Sequence, residues 1–344
     1  MKFITLRLDG LKALTDETGI FQHTKYSTIA RKEGYTTDDN ARALISALRY
    51  YRIYKDPEAI RLSNTYLSFL LYMQRPDGCF HNLLGFDRGF KDDLGSEDCM
   101  GRALWASGYT LSSDAPEGMK RVAKEILDGG LQSAHSFTSP RAWAFTILGL
   151  HNYYKAFPDD KNIIDIMRAF SRRLIDLYRF EAMDGWHWFE PYLTYSNSRL
   201  PQALFAAHES VGEPSFLQVA QSSLDFLIET QLIEDMFIPI GTDGWYEKNG
   251  VRALYDQQPI EASCMVEAMI AAFDSTGDES YEKAAKIVFE WYHGRNTKGV
   301  VIYNPETSTC YDGITSEGLN RNQGSEATLS YYLAYLRLKE RCLV

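Results

Sequence analysis

The stretch NARALISALRYY, residues 40–51, is apolar on nearly every side when it is wound as a helix. It opens with a polar residue and an alanine, and an apolar run follows. The pattern returns five more times, and its closing alanines stand at positions 43, 103, 142, 203, 262 and 327. The intervals are therefore 60, 39, 61, 59 and 65 residues, of which four are close to 60. Such a repeat predicts an architecture made by stacking one structural unit.

Each repeat is expected to begin a buried helix. Residues suited to helix starts stand at or near the six beginnings, namely Asp39, Ser96, Ser139, Asn197, Pro259 and Gly324. The helix bodies are apolar all round and rich in Ala and Gly, which let neighbouring backbones approach closely. We therefore expect six inner helices that are covered on every side.

A second helix with one charged face follows each of the first five repeats. The segment from Phe3 to Leu14 is expected to supply the twelfth helix and to close the ring. The predicted fold class is all-α, an (α/α)6 toroid of six helical hairpins that forms one domain over residues 1–344. A helical bundle or an open superhelix of hairpins is the alternative.

Composition excludes several classes of partner. The chain carries a formal net charge of −10, which repels nucleic acid and anionic membranes. The five cysteines form no CxxC pair, so neither a disulfide framework nor a metal site is expected, and no cofactor motif occurs. The first residues, MKFITLRLDG, lack the apolar run of a signal peptide, and no stretch is apolar enough for a membrane span. These features predict a cytoplasmic protein.

The loops before the inner helices are long, and in a ring they meet at one end. They are rich in aromatic and planar polar side chains, which suit the apolar faces and hydroxyl groups of sugars. We expect that end to form a funnel for an oligosaccharide or glycoconjugate. The candidate substrate-binding residues are Tyr35, Arg42, His81, Arg102, Arg141, Trp186, His187, Trp188, Tyr192, Trp245, Gln257, Gln258, Asn322 and Gln323.

The same loops and first turns hold many carboxylates. Hydrolysis of a glycosidic bond needs one carboxylic acid and one carboxylate that acts as base or nucleophile. Glu261 and Glu326 stand where apolar first-turn residues would suffice, and burial there would raise a carboxyl pKa as a general acid requires. Others could be helix caps or turn residues. The candidate catalytic residues are Asp38, Asp39, Glu97, Asp98, Glu190, Asp243, Glu261 and Glu326.

Arginines recur at the first turns of the inner helices, at Arg42, Arg102, Arg141 and Arg199. Pairing with the neighbouring carboxylates is the favoured explanation. The alternative is recognition of an anionic group on a substrate, such as a uronate or a phosphate.

The chain resembles the six-hairpin glycosidase superfamily. More narrowly, it is similar to toroid domains found alone or fused behind bacterial and archaeal glycosyltransferases. The matching stretches are GYTTDDNARAL (34–44), GSEDCMGRALWASG (95–108), SPRAWAF (139–145), WFEPYLTYSNSRLPQAL (188–204), DQQPIEA (256–262) and NQGSEATLSYYLA (322–334). The resemblance implies the toroid fold, a carbohydrate context and a functional link to a glycosyltransferase.

Three functions compete on this basis. The leading hypothesis is a glycoside hydrolase whose acid and base come from different hairpins. A non-catalytic glycan-binding or regulatory partner of a glycosyltransferase would not need so many acids. Sugar epimerases on this scaffold use paired histidines, and for that third reading His23 and His187 are the first candidates, with His81 also in or near the loops.

Overall fold

The helices of the protein alternate between an inner and an outer ring. The computed structural model describes residues 5–344. The inner helices are α2 (Thr37–Tyr54), α4 (Glu97–Ser112), α6 (Pro140–Ala156), α8 (Arg199–Val211), α10 (Pro259–Thr276) and α12 (Ser325–Glu340). The outer helices are α1 (Asp9–Leu14), α3 (Pro57–Met73), α5 (Glu117–Ala134), α7 (Lys161–Glu181), α9 (Pro214–Gln231) and α11 (Glu279–Glu290).

The inner helices close into a ring. Each inner helix packs against the next in chain order, and α12 packs against α2. The outer helices α3, α5, α7, α9 and α11 each pack against the inner helix that precedes them. These contacts make the fold the predicted (α/α)6 toroid and exclude the open superhelix. In the described part of the chain, no helix is both long and apolar enough to cross a bilayer.

All six inner helices begin within two residues of the predicted positions. Hydroxyl side chains cap three of them. The oxygen of Thr36 accepts a hydrogen bond from the backbone N–H of Asp39, and Ser96 and Ser139 accept in the same way from residues 99 and 142. Asp39 therefore lies inside the first turn of α2, and the capping residue is Thr36.

The N-terminal helix is shorter than the sequence suggested. Helix α1 has six residues, and Leu6 and Leu8 are buried in the non-helical segment before it. Tyr332 on α12 donates a hydrogen bond to the backbone carbonyl of Arg7, which holds this segment against the inner ring. Phe3, where the twelfth helix was expected to begin, lies outside the described residues.

Short antiparallel strands tie the long loops together. In chain order they are β1 (Thr24–Lys25), β2 (Thr28–Ile29), β3 (Tyr35–Thr36), β4 (Leu83–Leu84), β5 (Tyr192–Leu193), β6 (Leu232–Ile233), β7 (Met236–Phe237), β8 (Tyr246–Glu247), β9 (Tyr303–Asn304), β10 (Thr309–Cys310), β11 (Gly313–Thr315) and β12 (Gly318–Asn320). The pairs β3–β4 and β5–β8 join loops of successive repeats, whereas β1–β2, β6–β7, β9–β10 and β11–β12 are local hairpins. A bridge between Gln257 and Ile314 joins the fifth loop to the sixth.

The interior of the ring is not purely apolar. Glu267 on α10 has no exposed surface, and Arg49 on α2 and Arg199 on α8 hold its two carboxylate oxygens at 2.5 and 2.6 Å. Since an unpaired buried charge is very unfavourable, this triad fixes the relative positions of three inner helices. The guanidinium of Arg199 also lies 4.7 Å from the ring centre of Trp105 on α4.

Glycines allow α4 and α6 to approach closely. A Cβ atom added at Gly108 would lie 2.0 Å from the backbone oxygen of Gly149, and one added at Gly149 would lie 2.6 Å from the backbone oxygen of Leu104. Neither contact can be relieved by a side-chain rotation, because both meet backbone.

We expect Gly108→Ala to lower the free energy of unfolding by roughly 1–3 kcal/mol, since the two helices must move apart. Gly118→Ala is the matched control: it lies in α5, and nothing stands within 4 Å of its added Cβ. That variant should be neutral or stabilising by up to about 1 kcal/mol. Urea unfolding of both variants measures the difference. Equal stabilities would contradict this account of the α4–α6 contact.

Candidate active site at the inner-helix N-termini

Polar contacts link the first turns of successive inner helices and show that these turns share one end of the ring. Asp38 on α2 pairs with Arg102 on α4, and the carboxylates at the start of α4 bind the start of α6. Arg141 on α6 bonds Asn197 just before α8, the backbone N–H of Ser196 donates to Glu261 on α10, and Glu326 on α12 pairs with Arg42 on α2. We call this end the mouth.

Arg42 joins two carboxylates from opposite ends of the chain. Its Nη2 lies 2.8 Å from Asp39 and 3.1 Å from Glu326. Arg42 and Asp39 are buried, whereas the side chain of Glu326 is 47% exposed and reaches solvent. Burial raises the pKa of Asp39, Arg42 opposes that rise, and the negative charges of Asp38 and Glu326 add to it. The Nε and Nη1 atoms of Arg42 have no hydrogen-bond partner among the described residues.

Arg102 binds Asp38 with one nitrogen. Its Nη1 lies 2.6 and 2.8 Å from the two oxygens of Asp38, whose side chain is 24% exposed. The guanidinium stacks 4.4 Å from the ring centre of Phe145 on α6. This packing holds the Asp38 carboxylate at the edge of the mouth.

Arg141 organises the loop before α8. Its Nη1 donates to both oxygens of Glu190, at 3.1 and 2.9 Å, and its other nitrogens donate to Thr194, Tyr195 and Asn197. Every arginine singled out in the first turns thus pairs with a carboxylate, because Arg199 belongs to the Glu267 triad. Ion pairing, the favoured explanation, is what the structure shows.

Glu261 differs from the carboxylates that pair with Arg42, Arg102 and Arg141. It is 3% exposed, and among the described residues no arginine donates to it and its one hydrogen bond comes from the backbone N–H of Ser196 at 2.6 Å. Burial raises the pKa of Glu261 from 4.5 to about 7; the Ser196 N–H and Arg141 oppose this rise, while Glu326 adds to it. Glu261 can therefore carry a proton near neutral pH.

A further carboxylate, Asp312 in the loop before α12, belongs to the same electrostatic group. Its oxygen accepts from the backbone N–H of Gly324 at 2.7 Å. Burial raises the pKa of Asp312, His23 lowers it, and Glu326 and Asp39 raise it. Asp38, Asp39, Glu261, Asp312 and Glu326 thus form one interacting set, which we call the mouth carboxylates.

Two candidate catalytic residues bind the segment that leads into α6. Glu97 accepts hydrogen bonds from the backbone N–H groups of Thr138 and Ser139 at 2.7 and 2.6 Å, and Asp98 accepts from the Ser139 hydroxyl at 2.6 Å. Both carboxylates therefore hold the segment just before α6, whose capping residue is Ser139. Asp243 is exposed in the loop before α10, and among the described residues no hydrogen bond or ion pair joins it to the mouth carboxylates.

Two of the three candidate tryptophans, Trp186 and Trp188, are buried. Trp188 has no exposed surface, and Trp186 is 4% exposed, packed edge-on against Phe226 and Tyr246 and bonded through Nε1 to the carbonyl of Glu190. Both rings fill the core between the fourth loop and the outer helices, so neither offers a face to a sugar.

Several other substrate-binding candidates hold loops together. Among them, Tyr35, Gln257 and Gln323 are buried. Tyr35 donates to Asp16, Gln257 accepts from the indole of Trp291, and Gln323 accepts from Thr309. His81 bonds the carbonyl of Asp92, and Asn322 accepts from the backbone N–H of Tyr26. The burial of the first three removes them as direct sugar contacts.

The remaining candidates keep accessible surface on the rim. Tyr192 is 41% exposed on β5, and His187 is exposed beside the α9 side chain Phe226. Trp245 and Gln258 are partly exposed, the former just before β8 and the latter at the N-cap of α10. Tyr195 is also partly exposed, and its ring centre lies 5.2 Å from the guanidinium of Arg141 at the mouth.

Below the mouth the ring is nearly closed. The cavity there has a volume of about 10 Å³, room for one water, and is lined by Arg42, Arg102 and Arg199 with Ser196 and Ser263. A sugar therefore has to bind above the arginines, among the loops.

Sequence reasoning missed Asp312 as a site residue and missed the Arg49–Glu267–Arg199 triad. A signal for the triad was present, because Glu267 is a charged residue within the apolar run EASCMVEAMIAAF (261–273). A charge in such a run has to find a buried partner. No comparable signal marked Asp312, whose position depends on how the sixth loop folds back.

A comparison with family models finds no match for this chain, and a comparison with curated protein sequences finds none. Solved structures do match. Cellobiose 2-epimerase from Bacillus thermoamylovorans is similar at a TM-score of 0.76 and 13% identity, over 98% of this chain and 96% of that protein. A sugar epimerase from a ruminal bacterium gives 0.75 and 13%, over 96% and 94%. An α-1,6-mannanase from Salegentibacter sp. gives 0.65 and 14%, over 98% and 97%. These likenesses establish the six-hairpin (α/α)6 toroid fold.

The raised pKa of Glu261 makes stability depend on pH. Between 4.5 and about 7 the folded state holds a proton on Glu261 that the unfolded state has lost, so stability falls as pH rises through this range. Glu261→Gln keeps an acceptor for Ser196 but does not titrate. We expect it to be more stable than the natural chain at pH 8 by up to roughly 3 kcal/mol, with much less difference at pH 4.5.

Urea unfolding at the two pH values measures this difference. The control is Ile260→Val at the adjacent buried position, which should lower stability by about 0.5–1.5 kcal/mol at both. A Glu261→Gln effect that is the same at pH 4.5 and pH 8 would show that Glu261 is ionised in the folded protein.

Proposed function

We propose that this chain is a carbohydrate-active enzyme and, more specifically, a glycoside hydrolase with its site at the mouth. Two epimerases and a mannanase with the same fold support the broader statement. The accessible aromatic and amide side chains of the rim, Tyr192, Tyr195, Trp245 and Gln258, suit a sugar ring and its hydroxyls. An oligosaccharide is the substrate class that this lining favours.

The observation that carries the hydrolase proposal is the contrast between Glu261 and its neighbours. Glu261 is buried, has no arginine partner among the described residues and has a pKa raised to about 7. Asp38 and Glu326 are partly exposed and form ion pairs with Arg102 and Arg42. Two carboxyl groups in such different environments are what acid–base hydrolysis of a glycosidic bond requires.

In this mechanism Glu261 is the general acid. Its proton passes to the glycosidic oxygen as the bond between that oxygen and the anomeric carbon breaks. A water molecule attacks the anomeric carbon from the opposite face, and its proton passes to Glu326 or Asp38. The products are two sugars, each with a hydroxyl at the former linkage, and proton exchange with solvent restores both carboxyl groups.

A pair of adjacent aspartates in a protein of the same fold gives further support to a catalytic role for Asp38. A variant of the Salegentibacter mannanase in which two adjacent aspartates are replaced by asparagine is described as inactive and was solved with α-1,6-mannotriose. This chain carries Asp38 and Asp39 side by side in the first turn of α2. We therefore include α-1,6-mannan oligosaccharides among the substrates to test.

A histidine-dependent epimerase is the second candidate, and the epimerases of the same fold favour it. The arrangement of histidines supports it less. His23 lies near Asp312 on the sixth-loop side of the mouth, whereas His187 is exposed beside α9 and His81 is stacked on Phe90. A glycan-binding partner of a cytoplasmic glycosyltransferase is the third reading, and it requires no proton transfer.

The decisive experiment incubates the protein with α-1,6-mannotriose, cellotriose and cellobiose in deuterated water. A hydrolase creates new reducing ends, an epimerase exchanges the hydrogen beside the carbonyl carbon without new reducing ends, and a binding protein does neither. We expect new reducing ends. Glu261→Gln should then lower kcat by about 10²–10⁴-fold, because the leaving oxygen loses its acid.

Glu97→Gln is the matched control, since Glu97 holds α6 and touches none of the mouth carboxylates. It should keep near-normal turnover. Suppose that a substrate is hydrolysed, and that Glu261→Gln and the single amide variants of Asp38, Asp39, Asp312 and Glu326 each keep near-normal turnover. Carboxylate catalysis would then be ruled out. Isotope exchange without hydrolysis would instead assign the chain to the epimerases.

A further inference from the structure

A large cavity lies at the opposite end of the ring, among the C-terminal turns of the inner helices. Its volume is about 650 Å³, which is within the range of sites for small molecules. The wall includes Tyr109 on α4, His151 on α6, Glu209 on α8, Asp274 on α10 and Arg337 on α12. We call it the basal cavity. None of the mouth carboxylates lines it.

The side chains that line the basal cavity carry an excess of positive charge, opposite in sign to the net charge of the whole chain. Six basic residues line it, Arg49, Arg52, Lys120, Lys155, Arg337 and Arg341, against three acidic ones, Glu209, Asp274 and Glu340, a difference of +3. The whole chain has a net charge of −10. Helix C-termini attract cations, so part of this excess serves the inner helices themselves.

Some of these cations have no full partner. Arg337 pairs with both Asp274 and Glu340, but Arg341 has only a share in Asp274 among the described residues, and Lys155 lies 3.4 Å from Glu209. Arg52 is exposed and pairs with no carboxylate among the described residues. Arg52 and Lys155 are therefore the groups of this wall that are freest to meet an anion.

Arg49 reaches the cavity from the ring interior. It is 6% exposed and uses one nitrogen for Glu267, while its Nε has no hydrogen-bond partner among the described residues. A buried N–H group without a partner is unfavourable, so a polar ligand at this depth would gain a hydrogen bond that the protein alone does not make.

The pKa of His151 is sensitive to the charges around the basal cavity. Its pKa is lowered to about 4, mainly by burial and then by Lys155, with Arg337 acting in the same direction and Glu209 opposing them. Its Nδ1 bonds the hydroxyl of Ser210, and its Nε2 lies 3.5 Å from Glu209. Two cations thus act on this imidazole from α6 and α12.

From this geometry we infer that the basal cavity binds a small phosphate-bearing molecule, such as a sugar phosphate. The cavity is large enough for a phosphorylated monosaccharide, and arginine and lysine recognise phosphate through charge-assisted hydrogen bonds. Arg52 and Lys155 contact the phosphate, and Asn152, Gln202 and the ring of Tyr109 face the rest of the molecule. The site is separate from the mouth and does not depend on the hydrolase proposal.

The test uses the full chain at low ionic strength, titrated with inorganic phosphate, glucose 6-phosphate and glucose by calorimetry and histidine NMR. The His151 signal is assigned by its loss in His151→Gln. We expect both phosphates to bind, glucose 6-phosphate more tightly, and glucose not to bind. Bound phosphate should raise the pKa of His151, because a nearby negative charge stabilises the imidazolium.

Arg52→Gln and Lys155→Gln should each weaken phosphate binding by at least about fivefold. Lys283→Gln is the control of equal charge change, since Lys283 is exposed on α11 and, among the described residues, pairs only with Glu279. Circular dichroism verifies that all three variants fold. The inference is overturned if the phosphates fail to bind at millimolar concentration, if they bind without changing the pKa of His151, or if all three variants bind equally well.

Discussion

The pairing of buried charges inside the inner ring is the constraint on which the rest of the structure depends. Six helices that are covered on all sides would ordinarily slide and rotate against one another, because apolar contacts have little direction. Glu267 prevents this, since its two oxygens are taken by arginines from two other inner helices. Breaking one partner of such a group leaves an uncompensated buried charge and is strongly unfavourable. The triad therefore fixes how α2, α8 and α10 are placed along and around their axes. It thereby also fixes where the first turns of these helices lie at the mouth.

At the mouth, carboxylates again pair with arginines. The carboxylates there differ from one another because not all of them have an arginine partner. Asp38, Asp39, Glu190 and Glu326 each meet an arginine, so their charges are balanced within the protein. Glu261 is more deeply buried than Asp38 and Glu326, and among the described residues it accepts a hydrogen bond only from the backbone N–H of Ser196. Ionisation of the Glu261 carboxyl group is therefore unfavourable, and the group keeps its proton up to a higher pH. A single missing arginine contact thus separates a group able to donate a proton from groups that anchor the ring.

The sequence predicted the ring well because its signals are local and repeated. Hydroxyl caps and proline at first turns depend only on neighbouring residues, so all six inner helices begin where expected. The site was predicted less well, since its side chains come from loops whose course is not encoded locally. Trp188 and Gln257 look like ligand-binding residues in sequence and lie in the core, and Glu97 looks catalytic and holds the segment just before α6. Conversely, Asp312 joins the mouth only because the loop before α12 returns to Gly324.

Comparing the two ends of the ring distinguishes charged residues that the helix dipoles explain from charged residues that indicate a functional site. Inner helices that all begin at the mouth place six N-termini there and six C-termini at the basal cavity. Acidic first turns and basic last turns follow from the helix dipoles alone, so neither enrichment identifies a site. What the dipoles do not explain is a charged group without an oppositely charged partner among the described residues, as at Glu261 and Arg52. Each lies at the end whose helix dipoles favour its charge, and each keeps unused capacity to bind or transfer a charge. These two residues are therefore where chemistry or recognition has room to act.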